Sequence, residues 1–281
     1  MENRASPAVF VAAAITVAAA SMLAAGPSGR TPAVGQNPSP GYRAPRAHDG
    51  HPDLNGIWQA VNTANWDIQD HPARPGPVTA LGASFSIPAG AGVVEGSDLP
   101  YQPWALEKKK QNADQCLTLD PEIKCYMPGV PRATYMPYPF QIVQSRDTIL
   151  MAYEFASASR IVRMRKAGDA PIDSWMGWSR GRWDCDTLVV DVTGFNDRTW
   201  FDRAGNFHSD ALHVVERYSR TGPDHLWYEA TIEDPKVFTR PWKLSMPLYR
   251  RTEKNAQLLE YKCVEFVEEL MYGHLRKKDS K

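Results

Sequence analysis

The sequence lacks an excess of charge of either sign. Its 32 Lys and Arg residues balance 32 Asp and Glu residues, so the formal net charge is zero. Nucleic acids and anionic membranes attract basic surfaces, so we predict neither as a partner. The sequence also lacks the C-x-x-C pair of zinc ribbons and thioredoxin-type sites. Oxygen-bearing residues at 196, 197, 202 and 206 offer calcium ligands without EF-hand spacing, and we predict no metal and no cofactor.

The chain has one long apolar run, and this run lies at the N-terminus. Residues 8–25 are Ala-rich and uncharged, and small residues follow directly. This order is typical of a signal peptide over residues 1–25, with a retained membrane anchor as the alternative. The Pro-rich residues 26–52 predict a flexible spacer. We therefore expect an exported protein, periplasmic or extracellular, with no stable membrane insertion after signal cleavage.

Cysteines are few: the chain has Cys116, Cys125, Cys185 and Cys263. In an exported protein an even number favours disulfides, and four cysteines allow three sets of pairings. A Cys125–Cys263 bond would tie a Pro-rich loop to the last predicted strand, whereas Cys116–Cys125 would close a short local loop. The alternative is that one or two cysteines stay reduced and buried.

Beyond residue 140 the chain lacks clear helical periodicity, which disfavours parallel β-α-β units. Short β-branched and aromatic segments show period-two alternation instead, as at 188–192 and 242–248. After a first strand at 56–61, the predicted strands cover 141–145, 148–155, 160–165, 175–183, 187–193, 212–219, 225–232, 242–249 and 258–263. Their short connections predict an all-β fold, an antiparallel up-and-down barrel of the lipocalin or calycin type, with a sandwich as the alternative.

The predicted barrel domain spans 53–275 and carries one long insertion. Residues 62–139 are rich in Pro and contain one predicted helix, 103–114, with Pro at its first turn. We expect this insertion to wrap over one end of the barrel. A short amphipathic helix is predicted over 264–275, and residues 276–281 form a basic tail.

Two short motifs lie on predicted strands. Gly56-Ile57-Trp58 is a G-x-W like that of lipocalins, whose indole plugs one end of the barrel. Arg250 or Arg251 could cover this ring, and an ordinary core tryptophan is the alternative. G-x-S-x-G at 177–181 leads into another strand, whereas a nucleophile elbow needs a helix there. We therefore expect no hydrolase nucleophile at this motif.

The candidate site is segment 194–220, which begins with a long loop between two predicted strands. Such a loop is unusual between neighbouring strands, and it is dense in carboxylate, guanidinium, imidazole and indole groups. The predicted catalytic residues are His213, Glu216, Arg217 and Arg198. The predicted ligand-binding residues are Asp197, Trp200, Asp202, His208, Tyr218, Arg160, Glu229 and Tyr261. The alternative is a set of structural ion pairs such as Asp197–Arg198 and Glu216–Arg217.

Side-chain alternation limits what His213 and Glu216 can do together. Three residues apart on a strand, they point to opposite faces, so one metal ion could not readily bind both. An inward Glu216 would lie beside Val214 and Tyr218, and an apolar wall would raise its pKa and suit it to acid–base chemistry. An inward His213 would share its side with Arg217 instead.

The chain resembles a family of exported, mostly uncharacterised bacterial proteins. The resemblance rests on the pattern W-M-G-x-S-x-G-x-W-x-x-D-T-L-V-V-x-x-T-G-F-N-D within residues 174–219. Further matching segments are PDLNGIW at 52–58, CYMPGVPR at 125–132, PYPFQIVQ at 137–144, DPKVFTRPW at 234–242 and LLEYKCVE at 258–265. The resemblance implies an exported, lipocalin-like β protein and assigns no activity. Cys185 departs from the family pattern, which has Gly in that stretch.

These observations lead to three functional hypotheses. The first is an exported barrel that binds a small hydrophobic or aromatic molecule in its cavity, because Trp and Tyr supply apolar walls with polar handles. The second is a metal-free acid–base enzyme, a lyase, isomerase or hydrolase, in which His213 and Glu216 act with an Arg that stabilises an anion. The third is an accessory protein without a pocket. The oligomeric state stays open.

Overall fold

We analysed a computed structural model, which describes residues 41–261, 263–264 and 267–275, with only the backbone at 84, 85, 268 and 269. The predicted signal peptide, the start of the predicted spacer and the basic tail lie outside these residues. All described residues belong to one compact unit of the chain. None of the helices they form is long and apolar enough to cross a membrane.

Nine strands form a closed barrel in which each strand pairs with its neighbours in the sequence and the last pairs with the first. The strands are β1 Gly56–Ala60, β2 Phe140–Gln144, β3 Thr148–Tyr153, β4 Ser159–Arg163, β5 Trp178–Asp184, β6 Thr187–Thr193, β7 His213–Gly222, β8 His225–Glu233 and β9 Trp242–Arg250. The predicted all-β barrel is therefore confirmed.

One strand pair departs from the predicted antiparallel arrangement. β4 and β5 pair in parallel, with Val162 opposite Ser179 and Arg163 opposite Arg180. Parallel neighbours require the chain to travel back along the strand, and the connection 164–177 is long enough to do so. The remaining pairs among the described strands are antiparallel.

Alternate residues of the strands fill the barrel interior, as the sequence pattern predicts. The buried sets include Leu188, Val190 and Val192 on β6 and Trp242, Leu244, Met246 and Leu248 on β9. Burial of such apolar side chains is the main favourable contribution to folding.

Trp58 lies on β1 in the core of the barrel. It is fully buried, and its Nε1 donates a hydrogen bond to the Leu54 carbonyl at 2.9 Å. The guanidinium carbons of Arg250 and Arg220 lie 5.5 and 5.9 Å from the indole centroid, within cation–π range. The predicted cover by Arg250 is thus present, and Arg220 is a second one.

The Pro-rich insertion lies between β1 and β2 and packs along the barrel and its loops. It contains the helices α1 Pro103–Asp114, α2 Cys116–Leu119 and α3 Arg132–Tyr135, together with a 3-10 segment, Thr79–Phe85. The bounds of α1 match the predicted helix. The backbone N–H of Glu95 donates to the Lys243 carbonyl at 2.9 Å, and this hydrogen bond joins the insertion to β9.

The C-terminal region is held by a disulfide between Cys125 and Cys263, one of the pairings allowed by the sequence. Helix α4, Val267–Tyr272, and a 3-10 turn, Gly273–Leu275, follow it. The predicted strand 258–263 is wrong, because its described residues have irregular structure. The pairing of β9 with β1 closes the barrel and leaves no edge for a tenth strand.

Candidate functional site

Loop 194–212 joins β6 to β7 and has a defined internal structure. Phe201 donates to the Asn206 carbonyl at 2.7 Å, and Trp200 pairs with Phe207 across the loop. Thr199 Oγ1 lies 2.5 Å from His208 Nε2. The loop is therefore a packed hairpin-like unit that can position side chains as a strand does.

Two glycines let the insertion approach this loop closely. Gly205 has φ +83, and a Cβ there would lie 2.5 Å from the Lys109 carbonyl oxygen of α1. Gly129 has φ +75, and a Cβ there would lie 2.4 Å from Thr199 Oγ1. A side chain at either position would be strained and would force the elements apart. The loop thus rests on α1 at Gly205 and, at Thr199, on the segment that precedes α3.

Buried charges join the same two elements. Arg132 contacts Asp120 at 2.9 Å and Glu122 at 2.5 Å, and Arg203 of the loop contacts Glu122 at 2.8 Å. Burial alone would raise the pKa of Glu122, but the charges of Arg203 and Arg132 outweigh it and lower that pKa to about 2. Glu122 is thus a carboxylate at neutral pH that binds the loop to the insertion.

Glu216 points into the barrel, where it forms a polar network. Its two carboxylate oxygens accept hydrogen bonds from Arg160 Nη1 and Nη2 at 2.7 and 3.0 Å. Tyr218 and Tyr228 donate to Glu216 Oε1 at 2.9 and 2.8 Å. Arg160 Nη1 also lies 3.5 Å from Ser179 Oγ, the serine of the G-x-S-x-G motif on β5. The expectation of an apolar wall beside Glu216 is therefore wrong, because its carboxylate is surrounded by a guanidinium and two phenol hydroxyls.

His213 and Arg217 point to the outer face of the barrel. His213 Nε2 lies 2.9 Å from Asp191 Oδ2, and its Nδ1 lies 3.4 Å from Glu233 Oε2. Arg217 donates to Asp184 at 3.0 Å. His213 and Arg217 thus contact carboxylates on the outer surface, and His213 does not share a site with Glu216.

Two other predicted residues of the loop are buried. Asp202 accepts hydrogen bonds from Ile68 N at 2.9 Å and from Asn206 Nδ2 at 2.6 Å. Burial and the charge of Asp67 raise the pKa of Asp202 to about 7. His208 Nδ1 lies 2.8 Å from the Ser209 carbonyl, so it must donate, and Nε2 then accepts from Thr199. Burial lowers the pKa of His208, so this imidazole is neutral at pH 7.

Two further predicted residues, Tyr261 and Glu229, lie elsewhere. Tyr261 packs against Tyr138 and Phe155, with ring centroids 5.0 and 5.1 Å apart. Glu229 lies half-buried on β8, opposite Arg217. Neither residue belongs to loop 194–212.

A cavity of about 430 Å³ lies between the loop and α1. Of the predicted residues it brings together Asp197, Arg198, Trp200 and His208. An adjoining cavity of about 670 Å³ shares Leu119, Pro121 and Arg198 with it. We call the two together the aromatic groove, because their walls include Trp104, Tyr126, Trp175, Trp200 and Phe207.

Sequence reasoning missed most of this groove. Trp104, Lys108, Lys124 and Tyr126 come from the insertion, which we had predicted only to wrap the barrel, and Trp175 precedes β5. Aromatic and basic residues do recur in the insertion, but their approach to the loop depends on the close packing at Gly129 and Gly205. Within the described residues, no group of three His, Cys, Asp or Glu side chains could hold a metal ion.

The chain matches no protein-family model and no curated protein sequence. The functional reading therefore rests on the geometry of the site.

Proposed function

We propose that the protein is exported and binds a small aromatic molecule with an anionic group in the aromatic groove. The export part rests on the N-terminal sequence pattern and on the Cys125–Cys263 disulfide, since disulfides persist in oxidising compartments. The family resemblance points the same way.

The observation that carries the binding proposal is the position of Arg198 between two pairs of aromatic rings. Arg198 is exposed and lines both cavities, and its side chain has no hydrogen-bond or ion-pair partner within the described residues. The ring centroids of Tyr126 and Trp175 lie 5.1 Å apart in one cavity, and those of Trp104 and Phe207 lie 6.0 Å apart in the other. An unpaired guanidinium beside aromatic walls is suited to a planar anion.

The charges of the groove favour an anion over a cation. Its basic residues are Lys108, Lys124 and Arg198, and its acidic residue is Asp197. His208 adds no charge, because burial keeps its imidazole neutral at pH 7. Both His208 nitrogens are already hydrogen-bonded, so this residue shapes the wall.

The barrel interior is less suited to the same ligand. The Arg160–Glu216 pair and its tyrosine partners are fully or almost fully buried and occupy the lumen at the level of β7. The acid–base alternative requires His213 and Glu216 in one site, and they lie on opposite faces of β7. The groove outside the barrel is therefore the better candidate.

Two fluorescent probes test the proposal: the anion 1-anilinonaphthalene-8-sulfonate and the neutral N-phenyl-1-naphthylamine, which share the same arene. We expect the anion to bind saturably, with one site per chain. Arg198→Gln should weaken binding of the anion about tenfold, since it removes a charge-assisted hydrogen bond, and should leave the neutral probe unchanged. Trp175→Ala should weaken binding of both probes, because it removes an aromatic wall.

Arg182→Gln is the matched control, because Arg182 is an exposed arginine on β5 outside the groove. Its variant should bind both probes like the wild type. Equal affinities of the Arg198→Gln and Arg182→Gln variants for the anion would falsify the proposal.

A further inference from the structure

A second large cavity, of about 700 Å³, lies at the opposite end of the β6–β7 ladder from loop 194–212. Its lining includes Thr187, which begins β6, and Ser219, the partner of Thr187 near the end of β7. The loop is attached at the other ends of these strands, about 20 Å away along β6. Segment 42–52 covers the cavity from the N-terminal side. This cavity is thus separate from the aromatic groove.

The cavity wall carries an excess of positive charge. Its basic residues are Arg43, Arg46 and Arg220, and its acidic residue is Asp186. Arg46 is already neutralised, because its two terminal nitrogens contact the two Asp186 oxygens at 2.6 and 2.9 Å. Two guanidinium charges remain.

Neither of these two charges has a carboxylate partner within the described residues. Arg220 is 7% exposed, and its guanidinium donates to the carbonyls of Asp53, Gly222 and Pro223. Arg43 is exposed, and no side chain or backbone group in the described part of the chain forms a hydrogen bond or an ion pair with its guanidinium. A buried or half-enclosed cation is stabilised by an anion that approaches it, since the cation loses solvation in the cavity.

Hydroxyl groups complete the wall. Thr187 Oγ1 and Ser219 Oγ lie 2.9 Å apart, and Thr221 lines the same cavity. One hydroxyl of the Thr187–Ser219 pair donates to the other, so one hydroxyl proton stays available for a ligand. Arginine together with hydroxyl donors is the usual donor set for carboxylate and phosphate oxygens.

We propose that this cavity binds a small organic molecule through an oxyanion, either a carboxylate or a phosphate. Its volume is far larger than one inorganic ion needs and falls in the range of small-molecule sites. Arg43 supplies the charge-assisted hydrogen bonds, and the Thr187–Ser219 pair supplies a hydroxyl donor. The buried Arg220 adds positive electrostatic potential at the cavity wall.

Isothermal titration calorimetry at constant ionic strength tests this with three related probes: glycerol 3-phosphate, glycerate and glycerol. None of them is aromatic, so the rings of the aromatic groove offer them no stacking surface. We expect at least one of the two anions to bind saturably, one per chain, and glycerol not to bind. Binding of the phosphate alone identifies a phosphate site, binding of glycerate alone a carboxylate site, and binding of both an oxyanion site without that selectivity.

Variants locate the binding. Arg43→Gln should weaken anion binding about tenfold, because it removes a charged donor from an exposed position without disturbing the fold. Ser219→Ala should weaken it by a smaller factor, because one hydroxyl is lost. Arg182→Gln should bind like the wild type, since Arg182 lies outside this cavity. The proposal is overturned if neither anion binds saturably, if glycerol binds as well as they do, or if Arg43→Gln binds like Arg182→Gln.

Discussion

At the scale of single residues, the ion pair of Arg160 and Glu216 dominates the barrel interior. Both side chains are almost fully shielded from solvent, so each charge depends on the other for the stabilisation that water gives elsewhere. Burial raises the pKa of Tyr218 and of Tyr228, and the Glu216 charge acts in the same direction. Both phenols therefore stay protonated at neutral pH and donate to Glu216 Oε1.

Glu216→Gln should lower the free energy of unfolding by about 3 to 5 kcal/mol, because it leaves the Arg160 charge buried without a counter-charge. Urea unfolding followed by circular dichroism measures this change. Glu229→Gln on the neighbouring strand is the control and should change stability by less than about 0.5 kcal/mol, since its side chain has no partner within the described residues. Equal losses in the two variants would show that the Arg160–Glu216 pair does not support the barrel.

At the scale of structural elements, Asp202 connects the loop to the insertion. It accepts from Ile68 of the insertion and from Asn206 of the loop, and Tyr101 donates to Asn206 Oδ1 at 2.8 Å. The same interface contains the close contact of Gly205 with α1. The groove walls therefore come from two elements that are distant in the sequence and joined through buried polar groups.

This interface should make stability depend on pH. The pKa of Asp202 is raised from 3.8 to about 7, by burial first and by Asp67 second. The folded chain thus keeps a proton that the unfolded chain has released, and stability from this group falls as pH rises from about 4 to about 7. Asp202→Asn should remove this slope, because an amide does not titrate.

Urea unfolding of the wild type and Asp202→Asn at several pH values between 4 and 8 measures the difference. We expect the stability of the wild type to fall relative to that of the variant as pH rises through this window. Parallel stability curves would mean that Asp202 does not titrate in this range.

At the scale of the whole molecule, two closures hold the chain together. The pairing of β9 with β1 leaves no open edge on the sheet, which protects it from strand addition by other chains. The disulfide joins Cys125 of the insertion to Cys263, across 138 positions of sequence. It links the insertion to the segment that follows the last strand.

The double variant Cys125→Ser and Cys263→Ser should lose about 2 to 5 kcal/mol of unfolding free energy, because a cross-link over a long loop restricts the unfolded chain. Thermal and urea unfolding check this. Cys185→Ser is the control and should match the wild type, since Cys185 is exposed and forms no disulfide within the described residues. If the double variant were as stable as this control, the disulfide would have no role in folding stability.

The barrel could be predicted from the sequence, because the alternation of apolar and polar residues along a strand is a local pattern. Each strand with one buried face repeats apolar residues at every second position, and turn residues interrupt these repeats. The parallel pair of β4 and β5 was not readable, because strand direction depends on the path of segment 164–177. Segment 258–263 has the composition of a strand, but its described residues are in no strand, since the barrel is already closed.

The candidate site was readable only in part. Sequence spacing placed His213 and Glu216 on opposite faces of their strand, as the structure shows. It could not supply the partner of Glu216, because Arg160 lies 56 positions earlier on another strand. The insertion side of the aromatic groove was missed for the same reason.

The sequence by itself determined the fold class, the place of Trp58 on the first strand and the long loop between β6 and β7, because each depends on local periodicity, on a short motif or on loop length. Only the tertiary structure decided that Glu216 pairs with Arg160 inside the barrel and that the two cavities proposed as binding sites lie outside it. These outcomes depend on which distant side chains meet after the chain has folded. Spacing in the sequence does not predict that Arg198 lines one groove with Trp175 and Trp104, or that Arg43 lines one cavity with Ser219.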